Sequence, residues 1–158
     1  MIKLNIGCAW RNFGEDWIHL DGGDYDHLDY KDITKLEFDD NTVDLIYASH
    51  VLEYFDREQA ISVLQEWHRT LKPNSEIRIA VPDFQSMADL YINGDFELSE
   101  FLGPLYGRMK MGDDIIYHKT TYDFSSIKLL LEQVGFTDIE RYDWKQIKVH
   151  VDNDDHSQ

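Results

Sequence analysis

Short apolar runs in the first fifty residues predict β-strands. Ile2, Leu4 and Ile6 alternate with polar residues and end at Gly7. A second run spans residues 17–20 and ends at Asp21, and residues 43–48 form a continuous run rich in β-branched and aromatic side chains. Alternation is typical of a half-buried strand, and a short continuous run is typical of a buried one.

The clearest helix lies in the middle of the chain. Its apolar residues recur at spacings of four, three and four, which places them on one face: Ala60, Leu64, Trp67 and Leu71. Asp56, with Gln59 three residues later, is a capping box, and Pro73 should stop the helix. We expect a turn at residues 74–75 and then a strand over residues 76–81.

The second half of the chain continues the alternation of helices and strands. We predict a helix after Asp83 that ends at residues 93–94, helical structure over 96–111 interrupted at 103–104, and a helix over 125–134 closed by Gly135. Residues 136–144 and 147–151 are predicted to pair as antiparallel strands. We expect one domain over residues 1–152, followed by a polar tail over 153–158.

Strands that alternate with helices indicate an α/β fold. We expect a Rossmann-like, doubly wound, mostly parallel sheet with helices on both faces and an antiparallel C-terminal strand. Ligands of such sheets bind beyond the carboxyl ends of the strands, where the strand order reverses. The residues that follow the predicted strands are therefore the candidates for a functional site.

The composition restricts the classes of binding partner and the cellular compartment to be expected. The 31 acidic and 15 basic residues give a formal charge of −16, which argues against nucleic acid and against an anionic membrane surface, but not against a small anionic substrate. Cys8 is the single cysteine, and no apolar run approaches the roughly 18 residues of a membrane span. We expect a cytoplasmic protein, and no metal-binding motif is present.

Three residues at the predicted strand ends could bind a nucleoside. Gly7 lets backbone approach a ligand or simply makes a tight turn, and Asp21 could accept hydrogen bonds from ribose hydroxyls or cap its own loop. Asp32 could accept from an adenine amine or be a solvated loop acid. The glycine fingerprints of nicotinamide and ATP sites are both absent, which disfavours an NAD or nucleotide-sugar enzyme.

Several stretches in order resemble the class I S-adenosylmethionine-dependent methyltransferases, and more narrowly their type 11 group. They comprise residues 4–8 with 17–21, residues 32–54, residues 71–84, and the closing helix with Gly135-Phe136. The resemblance implies S-adenosylmethionine as cofactor and methyl transfer to a small-molecule or sugar-containing, glycan-type acceptor. The implied cofactor-binding residues are Asn5, Gly7, Cys8, Ala9, Asp21, Asp32, Ile33, Ala48 and Ser49.

Two histidines are candidate general bases for an acceptor that loses a proton. His50 follows the third strand, and His118 lies in a polar, aromatic segment. Each could equally be a structural or surface histidine. If the protein is an enzyme, residues 96–121 should cover the substrate.

The chain also departs from the family pattern. Asn5 and Ala9 replace an acid and a glycine of the first motif, and Tyr54 replaces a common histidine. These departures leave open an alternative function, a degenerate methyltransferase-fold module that binds S-adenosylmethionine weakly or not at all.

Overall fold

The structure is a computed structural model that describes residues 1–143. Its centre is a sheet of four parallel strands in the order β2-β1-β3-β4. The strands are β1 (Lys3–Ile6), β2 (Ile18–Leu20), β3 (Val43–Ser49) and β4 (Leu71–Ala80). The chain leaves β1 toward β2 and returns across β1 to β3, so the order reverses between β1 and β3. The predicted Rossmann-like, mostly parallel α/β fold is confirmed.

Four α-helices and a separate antiparallel hairpin complete the described part of the chain. The helices are α1 (Arg57–Thr70), α2 (Phe84–Asn93), α3 (Leu98–Tyr106) and α4 (Phe124–Val134), and a 3-10 turn spans Leu52–Tyr54. The hairpin strands are β5 (Met109–Met111) and β6 (Asp114–Ile116).

Helices α1 and α4 cover one face of the sheet. Leu4 and Ile46 are paired neighbours on β1 and β3, and both are fully buried. They belong to one core cluster with Leu64 and Trp67 of α1 and Leu131 of α4. Burial of one such apolar side chain stabilises the folded protein by about 1.5–3 kcal/mol. The i, i+3, i+4 pattern of α1 therefore faces the sheet as predicted.

An aromatic cluster lies on the opposite face. Tyr47 of β3 points there and packs against Phe13 and Trp17, with ring centroids of Phe13 and Trp17 5.4 Å apart in an edge-to-face arrangement. Both rings come from residues 7–17, which connect β1 to β2 without a helix. In this part of the sheet, an irregular segment and not a helix covers the face.

The capping residues of α1, α2 and α4 are those that the sequence predicts. The Asp56 carboxylate accepts from the backbone N–H groups of Glu58 and Gln59, which completes the capping box of α1. Asp83 caps α2, and Gly94 and Gly135 end α2 and α4 with positive φ angles of 76° and 114°. Side-chain caps satisfy N–H groups that have no partner inside the helix.

Strand β4 begins earlier than predicted. It starts at Leu71, directly after α1, and contains Pro73. The register with β3 shifts between the Val43–Leu71 and Leu45–Glu76 pairs, so the predicted turn at residues 74–75 is an irregularity inside the strand. Pro73 is tolerated because β4 is the edge strand of the described sheet.

Two further predictions need correction. Residues 96–111 are not helical throughout, because α3 ends at Tyr106 and the chain then forms the β5–β6 hairpin, with Gly107 and Gly112 both at φ 60°. Residues 136–143 contain no strand. The remainder of the predicted closing pair, including residues 147–151, and the predicted tail at 153–158 lie outside the described residues.

Across residues 1–143, no helix combines the length and apolar character that crossing a membrane requires.

Trp67 should be among the residues that contribute most to stability. Its side chain is fully buried, and its indole N–H donates to the Ile33 carbonyl at 2.8 Å. We expect Trp67→Ala to lower the free energy of unfolding by about 3–5 kcal/mol. Trp67→Phe keeps an aromatic ring but leaves that carbonyl without its donor, at a cost of about 1–3 kcal/mol. Urea unfolding measures both, and a loss below about 1 kcal/mol for Trp67→Ala would contradict this packing.

Candidate functional site

The loops that follow β1 and β2 meet at the carboxyl edge of the sheet. Gly7 and Cys8 donate their backbone N–H groups to the Leu20 carbonyl at 2.7 and 3.3 Å, which extends the β1–β2 ladder past the end of β1. The Asp21 N–H donates to the Tyr30 carbonyl at 3.2 Å, and Leu20 pairs with Tyr30 as an isolated parallel bridge. The residues that follow β1, the residues that follow β2, and Tyr30 therefore lie close together, beside the point where the strand order reverses.

Asp21 links the two loops. One carboxylate oxygen accepts from the Ala9 N–H at 2.9 Å, and the other accepts from the Gly23 N–H at 2.7 Å. The residue is only 3% exposed. Hydrogen bonds to an ionised carboxylate are about twice as strong as neutral ones, so Asp21 fixes both loops in place. In this conformation the carboxylate points inward, with no open surface for a ribose.

Gly7 occupies a place that other residues cannot take. Its φ angle is +69°, and a Cβ atom there would lie 2.1 Å from Val51 Cγ2. Ala9 also has a positive φ angle, 48°, although it is not glycine. Glycine is the residue that adopts this positive φ angle readily, and the group packed against Gly7 is the Val51 side chain.

Two buried polar atoms on one sheet face have unused hydrogen-bonding capacity. Asn5 Nδ2 on β1 and Ser49 Oγ on β3 have no partner among residues 1–143. Both side chains share the face of Tyr47, as the pairing of Asn5 with Tyr47 shows. Because buried polar atoms normally have a partner, these two are groups that a polar ligand could satisfy. Ala48, which stands beside Ser49 at the end of β3, is 1% exposed.

Cys8 is a buried, neutral thiol. Its side chain is 2% exposed, and its sulfur lies 3.7 Å from His27 Nε2. Burial, assisted by the negative charge of Asp21, raises the pKa of the Cys8 thiol to about 12. Because the thiolate is the reactive form, Cys8 is not a nucleophile at neutral pH.

Asp32 and Ile33 lie farther from the loop contacts. Asp32 is exposed, and its carboxylate accepts from the Thr34 hydroxyl and N–H at 2.7 and 2.8 Å. The hydrogen bond from the Thr34 hydroxyl is the main reason that the pKa of Asp32 is below its usual value. Ile33 is half-buried, and its carbonyl receives the indole N–H of Trp67. Asp32 therefore remains accessible, although it also caps its own turn.

His50 and His118 come together around a carboxylate that the sequence analysis missed. Glu53 is 1% exposed, and its Oε1 lies 3.2 Å from His50 Nδ1 and 3.9 Å from His118 Nε2. Its Oε2 has no hydrogen-bond partner in the described part of the chain. The signal was present in the sequence: Glu53 is an acidic residue in the apolar stretch that follows β3, where a charge is buried only with partners.

The histidines open onto a large groove. It has a volume of about 1820 Å³ and runs from His50, Tyr54 and His118 along the edge of β4 that is unpaired within residues 1–143. Trp10 also lines it, with 68% of its surface exposed and the Arg11 guanidinium 4.9 Å from its ring centroid. Residues 103, 104 and 107–109 of the predicted cover segment line the same groove, so this segment lies beside the histidines.

Comparisons with known proteins bear on the family and the fold. Residues 11–79 match a family model described as a methyltransferase domain. No curated protein sequence matches the chain significantly. With the fold, this match confirms the predicted resemblance to the class I S-adenosylmethionine-dependent methyltransferases, type 11 group.

Solved structures share the fold at low sequence identity. An S-adenosylmethionine-dependent methyltransferase from Archaeoglobus fulgidus is similar with a TM-score of 0.55 and 20% identity, over 87% of this chain and 61% of that one. The PH0226 protein from Pyrococcus horikoshii OT3 has a TM-score of 0.58 and 15% identity, over 84% and 71%. The 1,6-didemethyltoxoflavin-N1-methyltransferase of Burkholderia thailandensis, solved with S-adenosylhomocysteine, has a TM-score of 0.56 and 12% identity, over 88% and 61%. The chain thus spans less than two thirds of the first and third of these structures.

The burial of Cys8 generates a prediction about its reactivity. Because the folded protein holds the thiol buried and protonated, iodoacetamide at pH 8 should alkylate it far more slowly than in denaturant. Mass spectrometry of the intact protein over time measures the rate. Equal rates in the folded and denatured protein would show that the loop after β1 does not enclose Cys8.

Proposed function

We propose that the protein transfers a methyl group from S-adenosylmethionine to a small-molecule or sugar-containing acceptor. The observation that carries this proposal is the contact of Asp21 with the loop after β1 at the point of strand reversal. Ligands of parallel α/β sheets bind at that point. The predicted ribose-binding carboxylate and the predicted methionine-binding loop are therefore in direct contact, 2.9 Å apart from Asp21 Oδ2 to Ala9 N.

The residues implied for cofactor binding carry the chemical groups that a nucleoside can bind. Asp21 would hold the ribose hydroxyls, Asp32 and Ile33 would flank the adenine, and Gly7 with Cys8 and Ala9 would line the methionine part. Asn5 and Ser49 offer buried donors that have no partner among residues 1–143, and Ala48 adds an apolar wall beside Ser49. When bound, the cofactor supplies a methyl group already activated by its sulfonium charge, and the protein contributes alignment.

Ribose binding by Asp21 requires its buried carboxylate to become accessible. Its two oxygens accept from Ala9 and Gly23 in the described conformation, and ribose hydroxyls would have to replace or share those donors. A carboxylate has about four lone-pair sites, so sharing is chemically possible.

The groove suits an acceptor with a ring. Trp10 presents an exposed aromatic surface on its wall, and sugars and heterocycles both pack on such surfaces. His50 lines the same groove and is 35% exposed at its side chain. An acceptor held there would lie within reach of a histidine that can take a proton. The buried, neutral Cys8 suits action in a reducing compartment such as the cytoplasm.

A degenerate, non-catalytic module is the second candidate. It is favoured by the closed loop after β1, where the N–H groups of Gly7, Cys8 and Ala9 are all bonded within the chain. A methyltransferase-fold protein that no longer uses its cofactor could keep this closed form permanently. Cofactor binding distinguishes the two candidates.

We predict that S-adenosylhomocysteine stabilises the protein and that Asp21 is needed for its affinity. At roughly 100 times the dissociation constant, the ligand should add about 2.7 kcal/mol to stability. Asp21→Asn removes the charged acceptor and should weaken binding about ten- to hundredfold. Isothermal titration calorimetry measures the affinity, at a temperature where circular dichroism shows the variant folded.

The matched control is Asp24→Asn, a nearby acid whose side chain is 93% exposed and pairs with Lys31. It should bind the ligand as the wild type does. If the wild type shows neither heat of binding nor a thermal shift at millimolar S-adenosylhomocysteine, the methyl-transfer proposal fails and the degenerate module stands. Equal affinity of Asp21→Asn and the wild type would reduce Asp21 to a loop cap.

A further inference from the structure

Two histidines, His50 and His118, lie beside the buried carboxylate of Glu53, and they differ in exposure. We propose that Glu53 is a positioning residue that holds the hydrogen of His50 on Nδ1, so that His50 Nε2 takes a proton from a hydroxyl or amine acceptor in the groove. The inference rests on the proposed methyl transfer. It names the class of acceptor and separates the roles of the two histidines.

The position of the hydrogen on His50 follows from the chemistry of its neighbour. An ionised carboxylate can only accept hydrogen bonds, so the ring nitrogen facing it must carry the hydrogen. Glu53 Oε1 faces His50 Nδ1 at 3.2 Å. Glu53 is 1% exposed, so water does not compete for this contact. Breaking it would leave the buried carboxylate without a hydrogen bond from the described part of the chain, which is strongly unfavourable.

The second ring nitrogen of His50 is the one left for substrate. Nε2 makes no hydrogen bond within the part of the chain that the structure describes. The side chain is 35% exposed and lines the groove. A neutral imidazole with its hydrogen on Nδ1 carries a lone pair on Nε2, and this lone pair is a proton acceptor. His50 therefore presents a base to the groove.

The backbone fixes His50 in this orientation. Its φ angle is +56°, a left-handed conformation that costs a residue other than glycine energy and persists only where its surroundings impose it. The His50 N–H donates to the Ala80 carbonyl at 2.9 Å, which anchors the turn to the end of β4. The imidazole is thus aimed by the adjoining ends of two parallel strands.

His118 has no ring nitrogen to spare. Its Nδ1 lies 2.9 Å from the Pro104 carbonyl oxygen, and its Nε2 faces Glu53 at 3.9 Å. Its side chain is only 7% exposed, and the ring of Tyr54 packs against it edge-to-face with centroids 4.7 Å apart. Because both nitrogens face oxygens, His118 closes the carboxylate off from solvent and does not act as the base.

The segment that carries His118 is attached to the same residue. The N–H groups of Lys119 and Thr120 donate to the Glu53 carbonyl at 2.8 and 3.2 Å, and the Thr120 hydroxyl donates to the Phe55 carbonyl at 2.9 Å. Glu53 is therefore held through its backbone as well as its side chain. Such a frame leaves the carboxylate little freedom to turn away from His50.

The two neighbouring phenols do not compete as bases. Burial, with a contribution from the Glu53 charge, raises the pKa values of Tyr54 and Tyr122, for Tyr122 to about 12. Both phenols stay protonated at neutral pH, so neither can take a proton from an acceptor. Among Tyr54, His118, Tyr122 and His50, only His50 offers a free lone pair to the groove.

The class of acceptor follows from this base. An oxygen or nitrogen nucleophile that carries hydrogen forms its new bond to the methyl carbon, the carbon–sulfur bond breaks with its electron pair remaining on sulfur, and the proton goes to His50 Nε2. The products are the methylated acceptor, the thioether and an imidazolium. A thioether or tertiary-amine acceptor has no proton to lose and would need no base.

Nitrogen NMR of the histidine rings tests the inference without a cofactor or an acceptor. Long-range ¹H–¹⁵N correlation spectra at mildly alkaline pH distinguish a ring nitrogen that carries hydrogen from one that does not. We expect wild-type His50 to show hydrogen on Nδ1 and none on Nε2. Free histidine in water favours the opposite form, so the result is specific. A spectrum with hydrogen on Nε2, or a mixture of both forms, would overturn the inference.

Two variants at position 53 separate positioning from packing. Glu53→Leu removes the acceptor and should abolish the preference for hydrogen on Nδ1, whereas Glu53→Gln keeps an acceptor oxygen and should retain it. His68, whose ring packs on Phe136 at 4.8 Å, is the internal control and should give the same signals in every folded variant. If Glu53→Leu does not fold, the wild-type and Glu53→Gln spectra decide. An unchanged His50 in folded Glu53→Leu would contradict the role of Glu53.

A chemical probe provides an independent measurement. Diethyl pyrocarbonate acylates unprotonated imidazole nitrogens, so His50 should react faster than His118, as peptide mass spectrometry can show. Faster reaction at His118 would overturn the assignment. Glu53→Gln should also bind S-adenosylhomocysteine as the wild type does. If the wild type has the expected His50 form but binds no S-adenosylhomocysteine, methyl transfer and the acceptor class are overturned, and only the form of the histidine stands.

Discussion

The contact of one carboxylate with two loops organises the candidate site. Asp21 accepts from Ala9 at 2.9 Å and from Gly23 at 2.7 Å, and it does so while almost fully buried. The segment between β1 and β2 has no helix to hold it, so these charge-assisted bonds and the Phe13–Trp17 cluster fix its path. The same carboxylate is the group proposed to bind the cofactor ribose. Asp21 therefore both holds the loop in place and is the proposed ligand of the cofactor.

Much of the fold can be predicted from the sequence because the sequence signals that specify it are local. The capping box at Asp56, the α1 periodicity and the terminal glycines at residues 94 and 135 each specify geometry within a few residues. The β5–β6 hairpin and the early start of β4 were missed. The sequence pattern predicts helical structure over residues 96–111 with an interruption only at residues 103–104, and it predicts a stop at Pro73, whereas an edge strand accepts this proline.

The sequence predicts which residues lie near the site, but it does not predict the contacts that they make. The sequence brings Gly7, Asp21 and His50 to the carboxyl edge, because each follows a parallel strand. It gives no sign that Asp21 faces inward, since that depends on the path of a loop without periodicity. Glu53 was missed although its partner His50 is only three residues before it, because the sequence does not show that the carboxylate is buried; part of its surroundings is His118, which is 65 residues away in the chain. Long-range pairs of this kind have no local signature.

The central claim is that Asp21 exchanges its contacts with backbone for contacts with a ribose. A crystal structure of the protein with S-adenosylhomocysteine measures this most directly, through the distances from the Asp21 carboxylate to the ribose hydroxyls and to Ala9 N and Gly23 N. We predict hydrogen-bond distances to the ribose, with at least one of the two backbone contacts lengthened. A ligand bound at this edge while Asp21 stays buried on both backbone groups would contradict the account.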